Sequence, residues 1–192
     1  MSFSAADLSK FVRSEFKRLA DKDKAPAMAA YMKTKMPFYG IQKPARAVVY
    51  REMKRKFVPA TRQEYEEGVR ALWTNSCRED KYAAIEFARQ HVSFIDRSSL
   101  KLYEEMVRDG AWWDLVDDIA QGLVGEALRN DRARVGAIIE KWIKDDDMWI
   151  RRTAILAHNR HKSETNEEQL FRHCLHCAVE KEFFIRKAIG WA

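Results

Sequence analysis

All four prolines, Pro26, Pro37, Pro44 and Pro59, lie in the first third of this 192-residue chain, and the 133 residues after Pro59 contain none. Proline removes a backbone donor and clashes with the preceding turn, so a proline-free stretch of that length can run helix after helix. Apolar residues recur at helical spacing, at Leu8, Phe11, Val12, Phe16 and Leu19 early and at Ile138, Ile139, Trp142 and Ile143 late, with no strand-like alternation. Start signals agree. Thr61-Arg62-Gln63-Glu64 reads as a capping box, Asn130-Asp131 as a cap region, and Pro26 and Pro44 suit a first helical turn. These patterns predict an all-α chain of about ten or eleven short helices.

Short helices invite a search for repeats. Aromatic residues open apolar helical segments at Tyr82, Trp113, Trp149 and Phe184, at intervals of 31, 36 and 35, with Asp80, Asp109, Asp147 and Glu182 just before them. A period in the mid-thirties fits one helical hairpin per unit, as in solenoids whose pairs stack into a curved superhelix, although any all-helical bundle offers aromatics at some such spacing. Corresponding helices of a solenoid share one face, and Asp117, Arg152 and Lys187 put charge on helices that otherwise read as buried.

With 46% apolar and 33% charged residues the chain has material for one sizeable core and too much charge for a membrane span; residues 1–192 read as one domain. The net charge of +6 is uneven: the first 60 residues hold 14 basic and 5 acidic side chains, a net +9, and the remainder carries −3. That asymmetry admits a polyanionic partner. No run approaches the ~18 apolar residues of a transmembrane helix, and the start lacks the regions of a signal peptide, so a cytoplasmic location is expected. Three cysteines, Cys77, Cys174 and Cys177, make a disulfide framework unexpected.

Trp113 and Asp117 stand four residues apart and share a helix face. An indole quadrupole beside a carboxylate makes a site for cations, although a core tryptophan beside a solvated aspartate is the commoner outcome for such a pair taken alone. In Asp147-Met148-Trp149-Ile150-Arg151-Arg152-Thr153-Ala154 one of two adjacent arginines must leave the hydrophobic stripe, either to bind phosphate or to pair with Asp145 or Asp146. His173-Cys174-Leu175-His176-Cys177, with His158 and His161 nearby, has C-x2-C spacing but no second knuckle, and reads as packed cysteines with exposed histidines rather than a zinc site. His91 reads as a helix-end residue. Dinucleotide, P-loop, zincin and nucleophile-elbow motifs are absent from the sequence.

Three segments taken together are specific: Gly110-Ala111-Trp112-Trp113-Asp114-Leu115-Val116-Asp117, Trp149-Ile150-Arg151-Arg152-Thr153-Ala154-Ile155-Leu156 and Lys181-Glu182-Phe183-Phe184-Ile185-Arg186-Lys187-Ala188-Ile189-Gly190-Trp191. With Met28–Lys33 and Phe38–Arg46, they resemble, in order and over nearly the whole chain, the AlkD family of DNA alkylation repair glycosylases. The resemblance implies a HEAT-like superhelix and hydrolysis of the N-glycosidic bond of cationic alkylpurines such as 7-alkylguanine and 3-alkyladenine in duplex DNA. It implies lesion-side roles for Trp113, Asp117 and Trp191. It implies DNA-backbone binding by Arg152 and approaches to DNA by Tyr31, Gln42, Arg46 and Lys187. The implied chemistry needs no metal or organic cofactor, and the working species is expected to be a monomer. Family chains continue with helical sequence past the tryptophan matching Trp191, so the family's C-terminal helices are expected to be lacking here. The alternatives are a noncatalytic DNA-binding paralogue, against which the retained Trp113, Asp117, Arg152 and Trp191 argue, and a helical-repeat scaffold for a protein partner.

Overall fold

The computed structural model describes residues 3–192, and among them every regular element is helical. The α-helices are α1 (Ala5–Leu19), α2 (Lys24–Tyr31), α3 (Lys43–Lys56), α4 (Arg62–Trp73), α5 (Arg78–Gln90), α6 (Leu100–Gly110), α7 (Trp113–Ile119), α8 (Gly125–Asn130), α9 (Arg132–Trp142), α10 (Met148–Leu156), α11 (Glu167–Cys177) and α12 (Phe183–Ile189). A π turn at Ala120–Val124 joins α7 to α8, so the twelve segments form eleven continuous rods.

The expected starts are present. Thr61 and Glu64 form a reciprocal capping box on α4, Asp131 accepts from the Arg134 amide at the head of α9, and Pro44 lies in the first turn of α3. Helix starts also reveal the repeat. One series of N-caps falls at Gln42, Cys77, Trp112, Asp147 and Glu182, each thirty-five residues after the last. A second falls at Thr61, Asp96, Asp131 and Asn166, again thirty-five apart, and each of these four side chains accepts a backbone N–H of the turn it opens. Asp96 caps a short 3-10 turn that leads directly into α6. The chain is therefore a helical repeat counted in hairpins of constant length.

Two compact units divide the chain, one ending at Phe94 and the other spanning Ile95–Ala192. In the first, α4 packs on α1 and α5, and α3 packs on α1 and α5. Leu8, Val12 and Phe16 of α1, Met53 of α3, Tyr65, Val69 and Leu72 of α4 and Phe87 of α5 are fully buried. Burial of each large apolar side chain contributes about 1.5–3 kcal/mol. The second unit is built around α10, which touches α6, α7, α9, α11 and α12. Its Trp149 and Ile150 and its run from Arg152 to Leu156 are buried, as befits a helix covered on nearly every side. Gly125, directly after the π turn, lies so close to α10 that a Cβ would stand 2.6 Å from the Ala157 carbonyl oxygen.

Candidate active site and its counterpart

In the second unit the first turns of α7, α10 and α12 are gathered by an aromatic cluster. The Trp112 ring lies 6.0 Å from Trp149 and 5.4 Å from Phe184, and Trp149 lies 4.9 Å from Phe184, centroid to centroid. Such tilted contacts add about 0.5–1.5 kcal/mol per pair beyond area burial and fix how the helix ends meet. Beside the cluster opens a cleft of about 580 Å³ lined by Trp113, Asp117, Arg152, Phe183, Phe184, Arg186, Lys187, Gly190 and Trp191. Five of the residues singled out from the sequence thus share one cavity.

Their register explains the meeting. Asp117, Arg152 and Lys187 each occupy the fifth helical position after their N-caps, at one step of the thirty-five-residue count from one another. Trp113 sits one turn before Asp117 at the head of α7, and Trp191 follows α12 as an exposed residue.

Arg152 is almost wholly buried and faces Asp117 side-on: Nε donates to Oδ1 at 2.7 Å and Nη2 to Oδ2 at 2.8 Å, while Nη1 donates to the Phe184 carbonyl. One guanidinium therefore ties α7, α10 and α12 together. A fork-to-fork pair fixes both the position and the rotation of the carboxylate. Burial pushes the Asp117 carboxyl above its ordinary range; the Arg152 guanidinium pulls the other way, and Asp114 and Asp118 add like-charge repulsion. Each carboxylate oxygen still has a lone pair not taken by Arg152. The neighbouring Arg151 takes the opposite course, pairing with Glu180 at 2.7 Å and donating to the Asp145 and Asp146 carbonyls. Of the two adjacent arginines, the inward one meets a carboxylate of the cleft and the outward one meets the acidic loop.

The remaining three candidates share a second cavity, within the first unit. Tyr31, Gln42 and Arg46 line a cleft of about 700 Å³ with Lys24, Lys43, Phe38 and Tyr82. The Arg46 guanidinium lies 4.6 Å from the centre of the Tyr82 ring and its Nη1 donates to the Ile41 carbonyl at 2.8 Å. Gln42 occupies the N-cap position of α3 without a side-chain capping bond. Tyr31 is exposed.

A residue that sequence reading passed over holds this wall. Glu79 is fully buried, and its carboxylate accepts the backbone N–H groups of Tyr39 at 3.0 Å, Gly40 at 2.9 Å and Ile41 at 3.0 Å. The clipped loop leads straight into Gln42 and carries the carbonyl that Arg46 uses. Gly40 has φ +86°, and a Cβ there would stand 2.0 Å from the Asp21 carbonyl oxygen, so only glycine fits. The available sequence signal was Gly40 before a helix start; Glu79 itself lies in the charged run Arg78-Glu79-Asp80-Lys81, which is buried throughout.

The late histidine and cysteine residues spread over α11 and the turn before it. His173 and Cys177 face inward, His176 faces solvent and Cys174 is half-buried, while His158 and His161 are buried. His161 Nε2 lies 2.9 Å from the Gly125 carbonyl, and both ring nitrogens of His158 are buried without a hydrogen-bond partner. His91 ends α5 as its C-cap residue.

With fold and clefts described, the chain can be placed among known proteins. The family model of DNA alkylation repair enzymes matches residues 12–192, and the chain belongs to that family. It is similar to a solved structure described as a predicted DNA alkylation repair enzyme from Enterococcus faecalis, with 27% identity, a TM-score of 0.81, and coverage of 90% of this chain and 80% of that one. No curated protein sequence matches it. Among the described residues no helix is long and apolar enough to cross a membrane.

Proposed function

We propose that this chain is a monomeric cytoplasmic DNA glycosylase that releases cationic alkylpurines, 7-alkylguanine and 3-alkyladenine among them, from duplex DNA. The observation that carries the reading is the Asp117 carboxylate, locked by Arg152 in a cleft that Trp113 and Trp191 also line. Alkylation at N7 or N3 makes the base a good leaving group without an added proton. As the glycosidic bond breaks, positive charge grows on the deoxyribose. A carboxylate already fixed in place and shielded from bulk water stabilises that charge with no reorganisation at the moment of reaction, and its unused lone pairs can orient the attacking water. The two indole faces add cation-π stabilisation.

In this reading Arg152 is a positioning residue: three of its five N–H donors are engaged with Asp117 and the Phe184 carbonyl, and it acts through Asp117. From the same cleft the exposed Lys187 binds the DNA backbone, and Tyr31, Gln42 and Arg46 supply further contacts to the duplex. No metal or organic cofactor takes part.

The test is single-turnover release of 7-methylguanine from a defined duplex by the full chain and by Asp117→Asn, at enzyme concentrations that saturate binding. The expected loss is about 10²- to 10³-fold, the usual effect of removing one preorganised electrostatic group. Binding without release above the spontaneous rate in the unaltered chain would overturn the reading and leave a DNA-binding module.

A further inference from the structure

A third cavity lies in the first unit, away from the cleft of Tyr31, Gln42 and Arg46. It is a trough of about 620 Å³ between α1 and the end of α4, and its polar lining consists of Lys10, Arg13, Lys17, Ser9, Ser14, Thr74 and Asn75. Among the described residues no carboxylate lines it. Lys10, Arg13 and Lys17 follow i, i+3, i+7 spacing, so they rise along one exposed face of α1 while Leu8, Val12 and Phe16 hold the opposite face in the core. The only glutamate of α1, Glu15, is turned to Arg18 at 2.7 Å.

Two further features prepare the trough for an anion. The Asn75 amide donates to Ser9 Oγ at 3.0 Å, bridging the two helices across the floor. The end of α4 would ordinarily repel negative charge through its free carbonyls. Here the Thr74 backbone amide and hydroxyl both donate to the Arg70 carbonyl, the Asn75 backbone amide donates to that of Leu72, and the Lys81 ammonium donates to that of Trp73, so three of these oxygens are covered.

We infer that this trough binds the sugar-phosphate backbone of duplex DNA, as a contact separate from both clefts. Seven residues of helix span about 10 Å, which matches about three successive phosphate steps at ~3.4 Å of axial rise per strand. The choice of DNA rests on the reading proposed above; the trough's preference for a polyanion rests on its own lining.

The experiment compares the full chain, the triple variant Lys10→Gln, Arg13→Gln, Lys17→Gln, and a control that neutralises three arginines paired with acids elsewhere, Arg129, Arg134 and Arg172. Equilibrium binding to an undamaged duplex is measured from low to high salt, so no cleavage is required. Three lost phosphate contacts flatten the slope of log K against log salt by about 2 to 3. The control should change it by much less. A slope equal to that of the unaltered chain, or an equal change in the control, would overturn the inference. So would a triple variant that binds duplex normally and loses binding only to vesicles of anionic phospholipid. If the unaltered chain binds duplex with the expected slope dependence on the trough yet releases no 7-methylguanine, the glycosylase reading fails and the trough stands.

Discussion

The two clefts bearing the candidate residues are built on opposite electrostatic plans. The cleft of the second unit has a carboxylate, Asp117, set among cations and indoles and fastened by a buried arginine. The cleft of the first unit has lysines, an arginine and aromatic rings but no carboxylate in its lining, and its acidic residue, Glu79, is spent inside the wall on three backbone amides. A carboxylate aimed into a cavity can answer a positive charge that develops there; one turned onto backbone can only shape what surrounds it. On the proposed reading the difference gives chemistry to the second unit and anion recognition to the first.

Breaking the fastening in the second unit should have the largest effect. Arg152→Ala leaves Asp117 buried without its partner, and removal of one member of a buried pair costs about 3–5 kcal/mol. Chemical denaturation should show that loss in the second unit, with release of 7-methylguanine abolished alongside. A variant that is as stable as the unaltered chain would mean that Asp117 is not held by Arg152 in solution.

The corresponding change in the first unit is Glu79→Gln, which keeps the shape and removes the charge from three amide contacts. The expected loss is about 3 kcal/mol, the upper range for a hydrogen bond to a charged group. Faster amide exchange confined to the loop around Gly40, with weaker duplex binding and an unchanged cleavage step at saturation, would separate wall from chemistry. An equal fall in the cleavage step would collapse the proposed division.

The smallest expected effect is also the one in which the two units differ in sign. Burial holds His158 down at about 3, with like charge from His173 and His161 adding to it; burial lowers His161 and His173 as well. Below about pH 6.5 the unfolded second unit takes up protons that the folded one refuses, so its stability falls with pH, by about 2 kcal/mol for His158 between pH 7 and 5. Asp117, raised by burial, offsets part of this. In the first unit burial lifts Asp80 to about 6. That cost is present above the raised value and is relieved as pH falls through it, against a smaller opposing contribution from the lowered His91. Residue-resolved hydrogen exchange at pH 7 and 5, corrected for intrinsic rates, should show the second unit opening first. Equal changes in both units would count against the burial of the three histidines.

Much of this was legible in the sequence because helices write their periodicity openly. The helical class, the number of rods and the capping box of α4 followed from local pattern. The candidate residues came through resemblance, with Asp117, Arg152 and Lys187 also marked by the repeat; the structure splits the expected DNA-binding set, placing Arg152 and Lys187 with Trp113, Asp117 and Trp191 in one cavity and Tyr31, Gln42 and Arg46 in the other. The repeat was legible only approximately. Aromatic markers gave uneven intervals because the ring slides within its helix: Tyr82 is the fifth residue of α5, Trp113 the first of α7, and Trp149 and Phe184 the second of theirs. The steadier signal was the polar series Thr61, Asp96, Asp131 and Asn166, whose backbone-capping duty fixes it to the helix start. What stayed hidden depends on distant partners. Nothing local to Arg152 says that its guanidinium turns inward, nothing in the charged run at 78–81 says that it is buried, and the π turn has no marker until α10 is seen against Gly125.

The constant step between helix starts carries a lesson in modular construction. Because both series of starts advance by the same count, one hairpin could be removed or copied whole and every later joint would keep its phase. Such a chain can acquire new length by tandem duplication and then diverge one rung at a time, and the fifth residue of each rung is where an alanine, a tyrosine, an aspartate, an arginine and a lysine now stand.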